Sequence, residues 1–154
     1  MAKKKANNQK KSISNRRAKY DYELGDSFVA GLALSGAETK SLRMGHGHLR
    51  GAYVTVKDGE LWLINSTVTG SSGVPISEGD QTRSRKLLAK RKEIDKLVAA
   101  KKSGMTIVPL EILNRGRYIK LRISVGRGKK RYDKRQVIKK REESRNINRT
   151  IAHR

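Results

Sequence analysis

Ala52-Tyr53-Val54-Thr55-Val56-Lys57-Asp58-Gly59-Glu60-Leu61-Trp62-Leu63-Ile64 reads as a β-hairpin. Residues 52–56 alternate, Asp58-Gly59 is the strongest two-residue turn signal for antiparallel strands, and residues 61–64 return. Upstream, residues 28–34 (FVAGLAL) are a short apolar strand, with Gly31 marking a bulge or bend. Ser35-Gly36-Ala37-Glu38 then has the spacing of a capping box. It predicts a short helix to about Arg43, stopped by Gly45 and Gly47. Downstream, residues 105–113 and 118–125 make a second hairpin, in which Ile119, Leu121, Ile123 and Val125 alternate with polar residues.

Two stretches separate the hairpins. Residues 67–82 are rich in Gly, Ser and Thr without periodicity, and are expected to be a long mobile surface loop. Residues 84–102 are expected to be a helix, with Leu87, Leu88, Ile94, Leu97 and Val98 lining one face, a basic opposite face, and Gly104 ending it. The fold class is therefore mainly β with helices. A helix between the third and fourth strands is the connectivity of an OB-type antiparallel β-barrel with flanking helices. Other small barrels and an α+β sandwich fit the same pattern.

The chain has 154 residues, 37 Lys+Arg against 14 Asp+Glu, and a net charge of +23. Its 35% hydrophobic content is low for a chain folded throughout. The charge is not spread evenly. Residues 1–20 carry +8, residues 83–102 carry +7, residues 127–154 carry +9, and the remainder is nearly neutral at −1. This is a neutral module with basic grips, a layout that points first to nucleic acid and second to an anionic membrane surface. The absence of cysteine excludes disulfides, zinc fingers and thiol nucleophiles. No apolar run reaches the ~20 residues of a bilayer span, and no hydrophobic N-terminal signal is seen, so a cytoplasmic location is expected.

Three segments follow: a disordered basic arm at 1–16, a barrel at 17–126 and a basic tail at 127–154. Residues 126–130 read as a flexible hinge. Asp133 with Gln136 reads as a second capping box, starting a tail helix whose few apolar residues leave it ordered by a phosphate-bearing partner rather than by the barrel. The alternative is a solvated charge run with no role; the density of cations favours nucleic-acid contact.

No catalytic constellation emerges. His46-Gly47-His48 lacks a third ligand in obvious spacing and reads as a polar turn rather than a metal site. Glu38 reads as a cap and ion-pair partner rather than a general base. Gly126-Arg127-Gly128-Lys129 lacks the spacing of a phosphate loop. Phe28 and Trp62 are expected in the core, which leaves few exposed rings. Shape and backbone reading of structured RNA follows, with Tyr132 as a stacking candidate.

Several stretches resemble one family. Gly36-Ala37-Glu38-Thr39-Lys40-Ser41-Leu42-Arg43, Tyr53-Val54, Asp58-Gly59-Glu60, Arg83-Ser84-Arg85-Lys86-Leu87-Leu88 and Lys92-Glu93-Ile94-Asp95-Lys96-Leu97 are similar to small protein B, the SsrA-binding family of bacterial trans-translation. So is Gly126-Arg127-Gly128-Lys129-Lys130-Arg131-Tyr132-Asp133-Lys134-Arg135, followed by Ile138-Lys139-Lys140-Arg141-Glu142. The resemblance runs in register from about Asn15 to Arg154.

It implies an OB-like barrel that binds the tRNA-like domain of transfer-messenger RNA. The complex, with alanyl-tRNA synthetase and elongation factor Tu as indirect partners, reaches the A site of a stalled ribosome. The tail would enter the decoding centre and the empty mRNA channel as a helix. By motif match, Asn15, Lys19, Lys40, Arg85, Lys86, Leu88, Lys90 and Lys120 would face the RNA. Gly128, Lys129, Tyr132, Asp133, Lys134 and Arg135 would face the decoding centre, with Lys139, Lys140 and Arg141 further along the tail. A monomer that is not an enzyme and uses no cofactor or metal is implied. The chain departs from the family in having Val29 where most relatives carry Glu, and in lacking the proline before the Arg-x-Arg-Lys-Leu-Leu motif.

Two other readings fit the charge and size. A structural ribosomal protein of OB type would stay on idle ribosomes through a high-salt wash. An RNA-processing enzyme would need an acid pair or metal site.

Overall fold

The computed structural model describes residues 12–114 and 116–152. In chain order the elements are β1 (Ile13–Ser14), α1 (Ala18–Asp21), β2 (Tyr22–Leu32), α2 (Gly36–Arg43), β3 (Gly47–His48), β4 (Tyr53–Lys57), β5 (Glu60–Ile64) and β6 (Thr67–Val68). They continue with α3 (Glu78–Gln81), β7 (Arg85–Leu88), α4 (Arg91–Lys102), β8 (Thr106–Leu113), β9 (Lys120–Gly128) and α5 (Arg131–Ala152). Antiparallel pairing runs β8-β4-β5-β7-β2-β9 and closes through β8–β9, giving an OB-type barrel. The free edge of β8 carries β4 at its start (Val54 with Ile107) and β1 at its end (Ile13 with Ile112).

The decisive hairpin forms as expected: β4 and β5 pair from Tyr53–Ile64 to Lys57–Glu60. Asp58 and Gly59 both adopt positive φ (52° and 73°), the conformation a two-residue turn demands. In β9, Leu121 and Ile123 are fully buried and Val125 nearly so, as is Ile119 just before the strand. They meet Leu61, Leu63, Leu87, Ile107 and Ile112 in a single core. α4 seals it with Leu97, and Ile94 and Ala100 pack alongside.

The helix expected over 84–102 is two elements. Arg85 and Leu87 point inward at 0% and 2% exposure, while Lys86 and Leu88 point outward. That period-2 pattern belongs to a strand pairing with both β2 and β5. The helix begins only at Arg91, where the Glu93 carboxylate accepts the Lys90 N–H at 3.0 Å, and it stops before Gly104.

The first strand is longer than residues 28–34, and its irregularity falls between Leu24 and Ser27 instead of at Gly31. Gly31 stays in register between Lys120 and Leu88. Its missing Cβ admits the Leu88 side chain, which would lie 3.2 Å from a Cβ there. Gly47 does not stop α2 but opens β3, paired with β6; Gly45 makes the stop.

Residues 67–82 are structured. β6 pairs with β3, Ser71 bridges Val74, and Val68 and Val74 are buried. Residues 126–128 are not a hinge but the end of β9, paired with Tyr22–Leu24. The helix after them starts at Arg131, so Asp133 lies in its first turn rather than capping it, and Gln136 donates to the Tyr132 hydroxyl at 3.0 Å. Ile13 is buried and Asn15 donates its N–H to the Leu110 carbonyl at 2.7 Å, so the barrel takes up residues 13–15 of the stretch 1–16 read as a disordered arm; residues 1–11 of that stretch lie outside the described residues. Phe28 packs against the core. Trp62 does not: it stands between buried Leu61 and Leu63, on the opposite face of β5, half-buried beside Thr55 and Lys86.

Candidate nucleic-acid interface

The register of β1, β2, β7, β8 and β9 brings distant residues into two rows on the outer face of the barrel. Leu88, Gly31, Lys120 and Leu113 form one row; Val29, Arg122, Glu111 and Ser14 form the other. Leu88 and Val29 are 56% and 44% exposed, an apolar strip that the chain leaves in water. Around it opens a cleft of about 900 Å³ lined by Val29, Lys86, Leu88, Lys90 and Lys120. The Lys86 ammonium is held by Glu60 at 2.6 Å. Both side chains are about two-fifths exposed, so this pair is worth little and can exchange for a phosphate.

Asn15 and Lys19 line a second cleft, of about 500 Å³, together with Arg16, Glu111 and Arg122. The Asn15 side chain donates to the Pro109 carbonyl at 3.0 Å, which fixes it against β8. Arg122 and Glu111 also line the neighbouring cleft that ends at Lys120, so the three clefts form one continuous band. Of the eight residues assigned to the RNA face, Asn15, Lys19, Lys86, Leu88, Lys90 and Lys120 lie along this band. Lys40 is exposed on α2 and lines none of these clefts. Arg122 was missed, although its place between Leu121 and Ile123 in a strictly alternating strand marks it as outward-facing.

Arg85 is the correction. It is fully buried, and all five of its N–H groups are used inside the protein. Its Nε and Nη2 donate to Glu38 Oε1 at 3.1 and 2.9 Å. Nη1 donates to the Ser66 carbonyl and hydroxyl and to the Arg83 carbonyl, each at 3.0 Å, and Nη2 also donates to the Asp80 and Gln81 carbonyls at 3.0 and 3.1 Å. No donor remains for a phosphate. Arg85 instead ties β7 to α2 and to both ends of the 67–82 segment.

Glu38 accepts a second guanidinium, with Arg83 Nε and Nη2 at 2.7 and 2.6 Å, and the Ser35 N–H at 2.9 Å; the Ser35 hydroxyl accepts the Glu38 N–H at 3.3 Å. The capping box and the ion pair are thus one network. Burial raises the Glu38 pKa, but the Arg83 and Ser35 hydrogen bonds and the two guanidinium charges outweigh it, leaving the carboxyl below its ordinary value.

The tail leaves the barrel beside α1. Lys129 donates its N–H to the Asp21 carbonyl and its Nζ to the Lys19 carbonyl, both at 2.9 Å. Lys134 pairs with the Asp21 carboxylate at 3.3 Å and lies 5.9 Å from the centre of the Tyr20 ring. From Arg131 to Ala152, α5 is a 22-residue rod about 33 Å long. Tyr132, Asp133, Arg135, Lys139, Lys140 and Arg141 are exposed on it, and none of its residues is buried. Gly128 ends β9 opposite Tyr22. Gly47 and His48 are in a strand, and among the described residues no three His, Asp or Glu side chains are grouped as a metal would require. No described helix is long and apolar enough to cross a membrane.

An OB-type barrel with a basic, apolar-striped outer band and a basic helix projecting from its last strand defines a distinct class. The SmpB protein family model matches residues 12–153. The chain is 44% identical over 150 residues to the SsrA-binding protein of Synechococcus sp. (strain JA-3-3Ab), covering 96% of this chain and 97% of the relative. It is 43% identical over 145 residues to the SsrA-binding protein of Lactiplantibacillus plantarum (strain ATCC BAA-793 / NCIMB 8826 / WCFS1), with 90% of each covered. A solved structure described as "tmRNA-SmpB: a journey to the center of the bacterial ribosome" contains a chain with 36% identity and a TM-score of 0.64, covering 82% of this chain and 94% of that one. The chain belongs to the SmpB protein family.

Proposed function

We propose that the chain binds the tRNA-like domain of transfer-messenger RNA and delivers it to the A site of stalled ribosomes, where α5 senses the decoding centre and the empty mRNA channel. The observation that carries this reading is the convergence of Lys86, Leu88, Lys90 and Lys120, from β7, the β7–α4 turn and β9, around one cleft, in a chain of this family. The roles divide. The barrel holds the RNA and the tail addresses the ribosome. The action is binding rather than catalysis and takes place in the cytoplasm, with alanyl-tRNA synthetase and elongation factor Tu meeting the RNA rather than this protein.

Val29 stands where the family resemblance implies Glu. On the outer row beside Arg122 it offers a nucleotide an apolar contact instead of a carboxylate acceptor. The adjacent lysines thereby meet one less competing negative charge.

Competition binding at ~0.15 M salt tests the proposal, since weak phosphate contacts are screened there. The tRNA-like fragment should displace bulk tRNA and duplex RNA; equal affinity for all three overturns it. Lys120→Ala should weaken binding and lower the slope of log K against log salt by about one. An unchanged slope for Lys120→Ala removes that residue from the interface.

A further inference from the structure

The loop from β8 to β9 carries Arg117-Tyr118, and Tyr118 is 67% exposed. Its backbone is held. From the last turn of α2, Arg43 donates Nη1 to the Asn114 and Gly116 carbonyls at 3.3 and 3.1 Å, and Nη2 to the Arg117 carbonyl at 2.8 Å. At the loop's base, buried Asn114 donates its side-chain amide to the Leu42 carbonyl at 2.9 Å. The Arg117 guanidinium lies 5.5 Å from the centre of the Tyr118 ring. An aromatic ring is therefore presented to water on a loop fixed to a helix, with a cation stacked against it.

The cleft beside the ring, about 650 Å³, is the middle of the basic band and contains Leu113, Lys120 and Arg122. Its one carboxylate, Glu111, is engaged by Arg122 at 3.3 Å. A flat π surface next to two phosphate-reach cations matches an unpaired nucleotide, with the base on the ring and its phosphate on Lys120 or Arg122. An apolar protein segment would instead bury the Lys120 ammonium, which has no carboxylate partner among the described residues.

We infer that Tyr118, backed by Arg117 and braced by Arg43, is a stacking ledge for one unpaired nucleobase of the bound RNA. The inference rests on the RNA-binding reading above and adds a residue to it. It makes the barrel a reader of a loop conformation as well as of charge.

The test places 2-aminopurine, whose fluorescence falls on stacking, at each unpaired loop position of the tRNA-like fragment in turn. The full-length chain is titrated in as wild type, Tyr118→Ala and Tyr118→Phe. At one loop position the wild type and Tyr118→Phe should quench the probe and Tyr118→Ala should not, with Kd for Tyr118→Ala raised roughly tenfold. Tyr118 is too exposed for its loss to unfold the barrel, and Tyr118→Phe controls for the ring itself. If the wild type prefers the fragment to duplex RNA while Tyr118→Ala binds and quenches equally, the ledge is overturned and the function stands. If the wild type shows no preference, both fall.

Discussion

Glu38→Ala should destabilise the barrel by about 3–5 kcal/mol, because it leaves the fully buried Arg85 guanidinium without its counter-charge. For a chain of this size that corresponds to a fall in Tm on the order of 10 °C by calorimetry. Three losses coincide at one residue: the Arg85 pair, the bidentate Arg83 pair and one half of the α2 capping box. Arg85→Lys should recover little, since an ammonium cannot reach Glu38 and the carbonyls of residues 66, 80, 81 and 83 together, as the guanidinium fork does. A change of less than ~1 kcal/mol in both variants contradicts the role assigned to the network.

The same network predicts an acid limit. Because the folded-state pKa of Glu38 is lowered, its contribution is fully present above the unfolded value of about 4.5. It is lost as pH falls through the folded value. Wild-type Tm should therefore drop below about pH 4.5 more steeply than that of Glu38→Ala. Parallel profiles would show that Glu38 is not paired as described.

Truncation after Lys130 has the larger functional effect. All of β9 stays, including Gly126–Gly128 against β2, and Lys129 keeps both of its bonds to α1. What is removed is a helix with no buried residue, tied to the body at Lys134. Stability should change by no more than about 1 kcal/mol, the worth of an exposed pair. RNA affinity should be retained, and rescue of stalled ribosomes in a reconstituted translation system abolished. Loss of RNA binding together with rescue contradicts the division of roles. Cutting after Val125 is a poorer test, because it also removes three paired residues of β9.

Local signals told most of the fold. Asp58-Gly59, the Ser35–Glu38 box and the alternation from Ile119 to Val125 each act within a few residues, and each forms as read. What escaped depends on distant partners. Leu87, Leu88, Ile94 and Leu97 recur at helical spacing, yet Arg85–Leu88 is a strand because β2 and β5 flank it and Glu38, 47 residues away, neutralises Arg85. Residues 67–82 lack periodicity because their order comes from β3 and from the Arg85 fork rather than from an apolar face of their own.

The candidate interface divides in the same way. The charge segments located the basic elements, but only the register through Gly31 sets Lys120 beside Leu88. Motif position puts Arg85 on the RNA face; its burial shows that an arginine in that motif can hold the fold instead. Trp62 went the other way, expected in the core and found on the opposite face of its strand.

Purification of the full-length chain from a bacterial lysate at ~0.15 M salt, followed by sequencing of the RNA that elutes with it, tests the central claim most directly. The account predicts one dominant RNA carrying a tRNA-like domain, enriched over bulk tRNA and ribosomal RNA and reduced in a Lys86→Ala/Lys120→Ala variant. Recovery of bulk tRNA or ribosomal RNA in proportion to its abundance, unchanged in that variant, would contradict it.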